Sequence, residues 1–161
     1  MKSTLEKLLL PVLAGFALLA ATACGAKKTE AARNAGKTAP EVAIDLGESS
    51  LYTREERNDA ALLIRKEFAT FAGCELHSIR YAGDEANTEE NVAWLNSLRE
   101  ARADGSPEGP EYAQVAEFLT DFHSPVEDGP YAWEIDREYT DYQWWLARPT
   151  DGGWQLVSWG Y

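Results

Sequence analysis

Between residues 53 and 71 the apolar positions recur at helical spacing: Ala60, Ile64, Phe68 and Phe71, with Ala61 and Leu63 widening the stripe. Thr53-Arg-Glu-Glu56 stands ahead of them as a capping box, in which the threonine hydroxyl accepts from a first-turn amide and the glutamate reaches back. Gly73 follows where a helix end calls for a left-handed residue. The pattern predicts a helix over 54–71. Cys74-Glu-Leu-His-Ser-Ile-Arg-Tyr81 then reads as a first strand. A second, short helix is expected over 88–102, capped by Asn87 or Thr88, with Val92, Leu95, Leu98 and Ala101 as a narrow stripe and Trp94 to one side. Ala103 to Pro110 is a loop dense in glycine and proline. Tyr112 to His123 fits both periods; its second half favours a strand, because Pro125 and Gly129-Pro130 end it soon after. Tyr131 to Tyr139 reads as another strand or an ordered loop.

The last stretch alternates on both arms and is rich in aromatic and β-branched residues, as a half-buried pleated surface requires. Asp151-Gly152-Gly153 supplies the turn. Alternation places Tyr142, Trp144 and Leu146 on one face and Trp145 and Ala147 on the other. On the returning arm Trp154, Leu156 and Ser158 share a face, and Gln155, Val157, Trp159 and Tyr161 share the opposite one. The expected fold class is α+β: one long N-terminal helix on a curved antiparallel sheet of about four strands, plus a short second helix.

The N-terminus has a different pattern. Met1 to Lys7 is a short basic start, and Leu8 to Ala21 is an apolar run too short to span a membrane comfortably, as in a secretory signal peptide. It ends in Leu19-Ala-Ala-Thr-Ala-Cys24-Gly25, which resembles the bacterial lipobox. That resemblance implies a diacylglycerol thioether on Cys24, cleavage before it, and a membrane anchor on the extracytoplasmic side. The expected organisation is a signal peptide over 1–23, an acylated Cys24 with a flexible tether over 24–50, and a single domain over 51–161. Val42, Ala43, Ile44 and Leu46 could make a short strand, but an unpaired linker is the favoured reading.

Charge and the remaining chemistry narrow the function classes. A formal charge of −12 over 161 residues argues against nucleic acid, whose affinity comes mainly from Lys and Arg on phosphates. Cys74 reads as a small buried hydrophobe. Cys74 and His77 have a Cys-x-x-His spacing, with His123 the obvious further ligand, but residues three apart on a strand point to opposite faces, so no metal site is expected. No motif for a serine nucleophile, a phosphate loop, a dinucleotide turn or a calcium loop is present, so neither a catalytic residue nor a cofactor is assigned. Acids near the aromatics (Glu127, Asp128, Glu134, Asp136, Glu138, Asp141) could include a general base, or be solvated loop carboxylates. Five of the six tryptophans lie after residue 130. They either fill the helix–sheet interface or line a surface for a ligand or partner, and Trp145, Trp159 and Tyr161 are the candidates for that surface.

The outline looks like a cystatin-like or nuclear-transport-factor-2-like roll. Tyr52-Thr-Arg-Glu-Glu56, Phe71-Ala-Gly-Cys74-Glu-Leu76, Gln143-Trp-Trp-Leu-Ala-Arg148 and Trp159-Gly-Tyr161 together resemble a family of small uncharacterised lipoproteins of Gram-positive anaerobes. That resemblance implies architecture and location, and no activity. The favoured function is a non-catalytic envelope lipoprotein that binds an envelope protein, a glycan or a small ligand. The alternatives are a pocket-bearing roll enzyme using a buried carboxylate, and an inhibitor or regulator of an envelope enzyme.

Overall fold

The computed structural model describes residues 41–99, 106–107, 109–128 and 133–161. Cys24, the apolar run over 8–21, most of the expected tether and part of the Ala103 to Pro110 loop lie outside the described residues. Among those described, the elements are β1 (Ala43–Asp45), α1 (Arg54–Phe68), β2 (Glu75–Tyr81), a 3-10 turn (Asp84–Ala86), α2 (Glu89–Ser97), β3 (Gln114–His123), β4 (Glu138–Arg148) and β5 (Gln155–Gly160). The strands form one sheet in the order β1-β2-β3-β4-β5, with β1 parallel to β2 and the other neighbours antiparallel. The class is α+β, and the sheet is mixed and five-stranded rather than antiparallel and about four-stranded.

The added strand is β1. It forms because the chain after it is pinned to the domain. Leu46 enters the core, while Ser49 Oγ, Ser50 N and Ser50 Oγ donate to the Asp84 carboxylate at 2.5, 2.8 and 2.8 Å. Tyr81 Oη donates to the same carboxylate at 2.8 Å, and these donors, Ser49 first, hold Asp84 far below the usual carboxylate range. From the other side Arg57 donates to the carbonyls of Tyr52 and Gly47 and lies over the Tyr81 ring. Residues 42–50 therefore belong to the fold, not to an unpaired linker.

The capping box of α1 is in place: Glu56 N donates to Thr53 Oγ1 at 3.2 Å and Thr53 N to Glu56 Oε2 at 2.7 Å. The helix stops at Phe68, three residues short of Phe71, which turns back into the core. Its inner stripe of Ala60, Ala61, Ile64 and Phe68 packs on the sheet face carrying Ile79, Tyr81, Ala116, Phe118, Phe122, Tyr142, Trp144 and Leu146. That layer is filled by large side chains with no exposed surface, Trp144, Phe118 and Phe122 foremost. α2 is shorter than its apolar stripe suggests, because Leu98 is a cap residue and 45% exposed. It covers part of the opposite face, where Leu95 packs with Val115 and Ala147 beside Val92, Tyr112, Trp145 and Val157. β3 is strand throughout, and residues 133–137 are loop before β4 begins at Glu138.

The final hairpin departs from simple alternation. Trp145 faces Ser158, yet the next β4 residue, Leu146, faces Leu156, so Val157 is the extra residue of a bulge. One inserted residue reverses the facing of everything beyond it. Trp159 therefore shares the helix-side face with Leu156 and Trp144 instead of lying opposite Leu156.

Candidate functional site

The sheet end nearest Phe71 is lined almost wholly by rings. Phe122 stacks on Tyr139 with centroids 4.9 Å apart, and Trp133 meets Phe122, Tyr139 and Tyr142 at 5.2, 5.3 and 5.5 Å. Trp144 continues the row by stacking on Phe71 and on Trp159, at 5.7 and 5.9 Å. Tyr161 closes it against Tyr142 at 5.2 Å, while its hydroxyl donates to the Thr140 carbonyl at 3.2 Å. Phe71, Phe122, Tyr142 and Trp144 are buried, Trp133 and Tyr139 are half-buried, Trp159 is 42% exposed and Tyr161 is 76% exposed. The aromatic core thus runs out to solvent at the end of β5. Two of the three candidate contact residues, Trp159 and Tyr161, meet there.

Trp145 does not join them. It lies on the opposite face of the sheet, where it packs edge-on against Trp94 at 5.1 Å, and Trp94 is 38% exposed. The predicted trio is therefore two surfaces, one on each side of the sheet.

A third constellation surrounds Arg148. Its Nη1 donates to Glu56 Oε1 at 2.5 Å and its Nε to Gln114 Oε1 at 2.7 Å. The guanidinium lies 4.6 Å from the Trp154 centroid and 5.4 Å from that of Tyr52, a cation held by two π faces. Hydrogen bonds from the Thr53 amide, then from Arg148, pull the Glu56 carboxyl down to about 2. An open cavity of about 300 Å³ adjoins this cluster, lined also by Asp59, Leu62 and Leu63.

The chain matches no known protein family, no curated protein and no solved structure. Its chemistry therefore rests on its own residues.

No Asp or Glu among the described residues is fully buried. The acids named as possible bases behave as surface groups. Glu138 and Asp136 bind histidine, Asp141 lies 2.5 Å from Arg80 Nη2, and Glu134 pairs with Arg137. Glu127 and Asp128 are exposed. Glu117 is the acid whose carboxyl burial pushes up; it sits on β3 opposite Trp145.

The two histidines come together although 46 positions separate them. His77 Nδ1 lies 2.9 Å from Glu138 Oε1, and His123 Nδ1 lies 3.1 Å from Glu138 Oε2. His123 Nε2 lies 2.9 Å from Asp136 Oδ1. Asp136, and then Glu138, raise the His123 pKa by favouring the imidazolium. Among the described residues no three His, Cys, Asp or Glu groups are placed to hold a metal ion. Cys74 packs against the core, where burial raises its thiol pKa. No helix of the described residues is long and apolar enough to cross a membrane.

Proposed function

We propose that this chain is an extracytoplasmic lipoprotein, anchored by lipid on Cys24, whose folded part is a non-catalytic binding module. The observation that carries the binding reading is the emergence of the aromatic core at Trp159 and Tyr161. Exposed large rings seated on buried ones are rigid, so an apolar or planar partner meets them without ordering loose side chains. Asp141, paired with Arg80, and Asp121 lie near the Tyr161 hydroxyl, and the chain as a whole carries a formal charge of −12. A partner that offers an apolar or sugar face together with positive charge fits it best. The order of helix, strands and final hairpin supports the finer reading of a cystatin-like or nuclear-transport-factor-2-like roll.

The test has two arms. Labelled palmitate should enter the wild-type chain in a bacterial host and not the Cys24→Ser variant; equal labelling sinks the anchor. Binding of envelope glycans and basic peptides, followed by tryptophan fluorescence, should be lost in Trp159→Ala and Tyr161→Ala with the unfolding midpoint retained. Retained binding in both variants would remove this surface from consideration. The enzyme alternative draws on Glu117 beside Trp145, and Glu117→Gln would have to abolish any activity assigned to it.

A further inference from the structure

The sheet face opposite α1 carries an unpaired carboxylate. Glu117 stands within β3, half-buried, and its side chain makes no hydrogen bond or ion pair among the described residues. Burial pushes its carboxyl pKa up, as befits a charge that has lost water without gaining a partner. Arg80, on the neighbouring strand and level with Leu119, pairs with Asp141 instead.

Two indoles stand beside this carboxylate. Trp145 is the register partner of Glu117, which puts their Cβ atoms about 5 Å apart. The one donor of the Trp145 ring goes to Gln143 Oε1 at 3.4 Å, not to Glu117. Trp94 of α2 meets Trp145 edge-on, with centroids 5.1 Å and planes 89° apart. Trp145 is half-buried and Trp94 forms the exposed rim.

The same chain shows what such a corner holds. Tyr52 and Trp154 also meet edge-on, at 5.1 Å and 85°, and Arg148 lies over both rings while bonding to Glu56. That set is complete: two crossed rings, a carboxylate and a guanidinium. On the other face the crossed rings and the carboxylate recur, and no described arginine or lysine lies over Trp94 or Trp145. A guanidinium suits the corner better than an ammonium. It is planar and weakly hydrated, so it stacks on an indole while giving two parallel N–H groups to a carboxylate.

We propose that Glu117, Trp145 and Trp94 form a guanidinium site that takes an arginine side chain from a partner polypeptide. The site lies on a sheet face at the flank of α2, where a side chain projecting from a larger surface can reach it. The inference depends neither on lipid at Cys24 nor on Trp159 and Tyr161, which lie elsewhere.

The experiment uses the full chain with Cys24→Ser, labelled with nitrogen-15 in non-ionic detergent. N-acetyl-arginine amide is titrated while the indole N–H resonances, assigned through Trp94→Phe and Trp145→Phe, are followed. The resonances of Trp94 and Trp145 should shift saturably. The capped lysine should bind several-fold more weakly, and the capped citrulline, planar but neutral, should not bind. Glu117→Gln should lose about tenfold in affinity, as removal of a charge-assisted pair does. Trp94→Ala, at the exposed rim, should also weaken binding and serves should Glu117→Gln alter the fold. Trp159→Ala should bind like wild type. No saturable shift, unchanged affinity in Glu117→Gln and Trp94→Ala, or an equal response to citrulline would overturn the site. Loss of binding in Trp159→Ala would place it on the other face. Clear preference for free arginine over the capped form would overturn the polypeptide as its source.

Discussion

The indole nitrogen of Trp144 donates to Thr120 Oγ1 at 2.9 Å, and neither side chain has any exposed surface. Cross-strand neighbours of Thr120 are Ile79 and Tyr142, so the hydroxyl is a polar atom set in the apolar layer under α1. A buried donor that loses its partner pays its full desolvation cost. Thr120→Val is therefore expected to destabilise the fold by about 1–3 kcal/mol, more than Thr120→Ser, which keeps the acceptor. Denaturant titration of both variants in a double-mutant cycle with Trp144→Phe checks it; independent effects would show that the bond contributes nothing.

Glu56 links the start of α1 to β4 through Arg148. Its folded pKa of about 2 lies below the unfolded value, so its contribution is complete above the unfolded pKa and is lost as pH falls toward the folded one. In Glu56→Gln the acid limb of the unfolding profile should flatten between about pH 4.3 and 2. Arg148→Met should flatten it in part, because the Thr53 amide remains. Superimposable acid limbs for wild type and Glu56→Gln would contradict the assignment.

His123 has the opposite sign. Its folded pKa is raised, so the stabilisation is complete below the unfolded value of about 6.5 and disappears as pH climbs through the folded one. Charged partners facing it are Asp136 and Glu138, the latter shared with His77. Thermal melts should show the wild type losing its advantage over His123→Gln as pH rises through this window. A constant difference across that range would exclude the network as a titrating element.

Gly73 sits at φ +80°, and a Cβ added there would stand 3.1 Å from two carbons of Pro125. Gly73→Ala should cost about 1–3 kcal/mol, as left-handed strain in a non-glycine residue does. Gly153, where an added Cβ meets nothing, is the control: Gly153→Ala should be nearly neutral. Equal melting shifts for the two would refute the argument.

What could be read from the sequence was local. The α1 capping box, the stripe of Ala60, Ile64 and Phe68, and the inward set Tyr142, Trp144 and Leu146 all follow from spacing within one segment. The short strand at Val42 to Leu46 loses to the linker reading because three residues carry too little pattern, and its support is Asp84, far along the chain. The Val157 bulge escaped because an extra residue is defined only by the strand opposite; it moved Trp159 to the other face and separated it from Trp145. The Arg148 stack and the histidine–carboxylate chain are long-range as well. A hint was available for the second: the chain has two histidines, both in segments that read as strand.

β1 and β5 occupy opposite rims of the sheet, about 19 Å apart at ordinary strand spacing. Tension arriving from upstream enters at β1, which offers a ladder of three residues, and next meets the seam of Ser49 and Ser50 on Asp84. That seam lies before α1, so peeling β1 leaves the helix and the four antiparallel strands whole. Freed as far as Glu48, which also draws Leu46 from the core and Gly47 from Arg57, the segment from Ala43 would lengthen the lead into the domain by about 20 Å. A pull on the first element of the fold is therefore expected to be met at Leu46 and at the Asp84 seam before it reaches the surface at Trp159 and Tyr161.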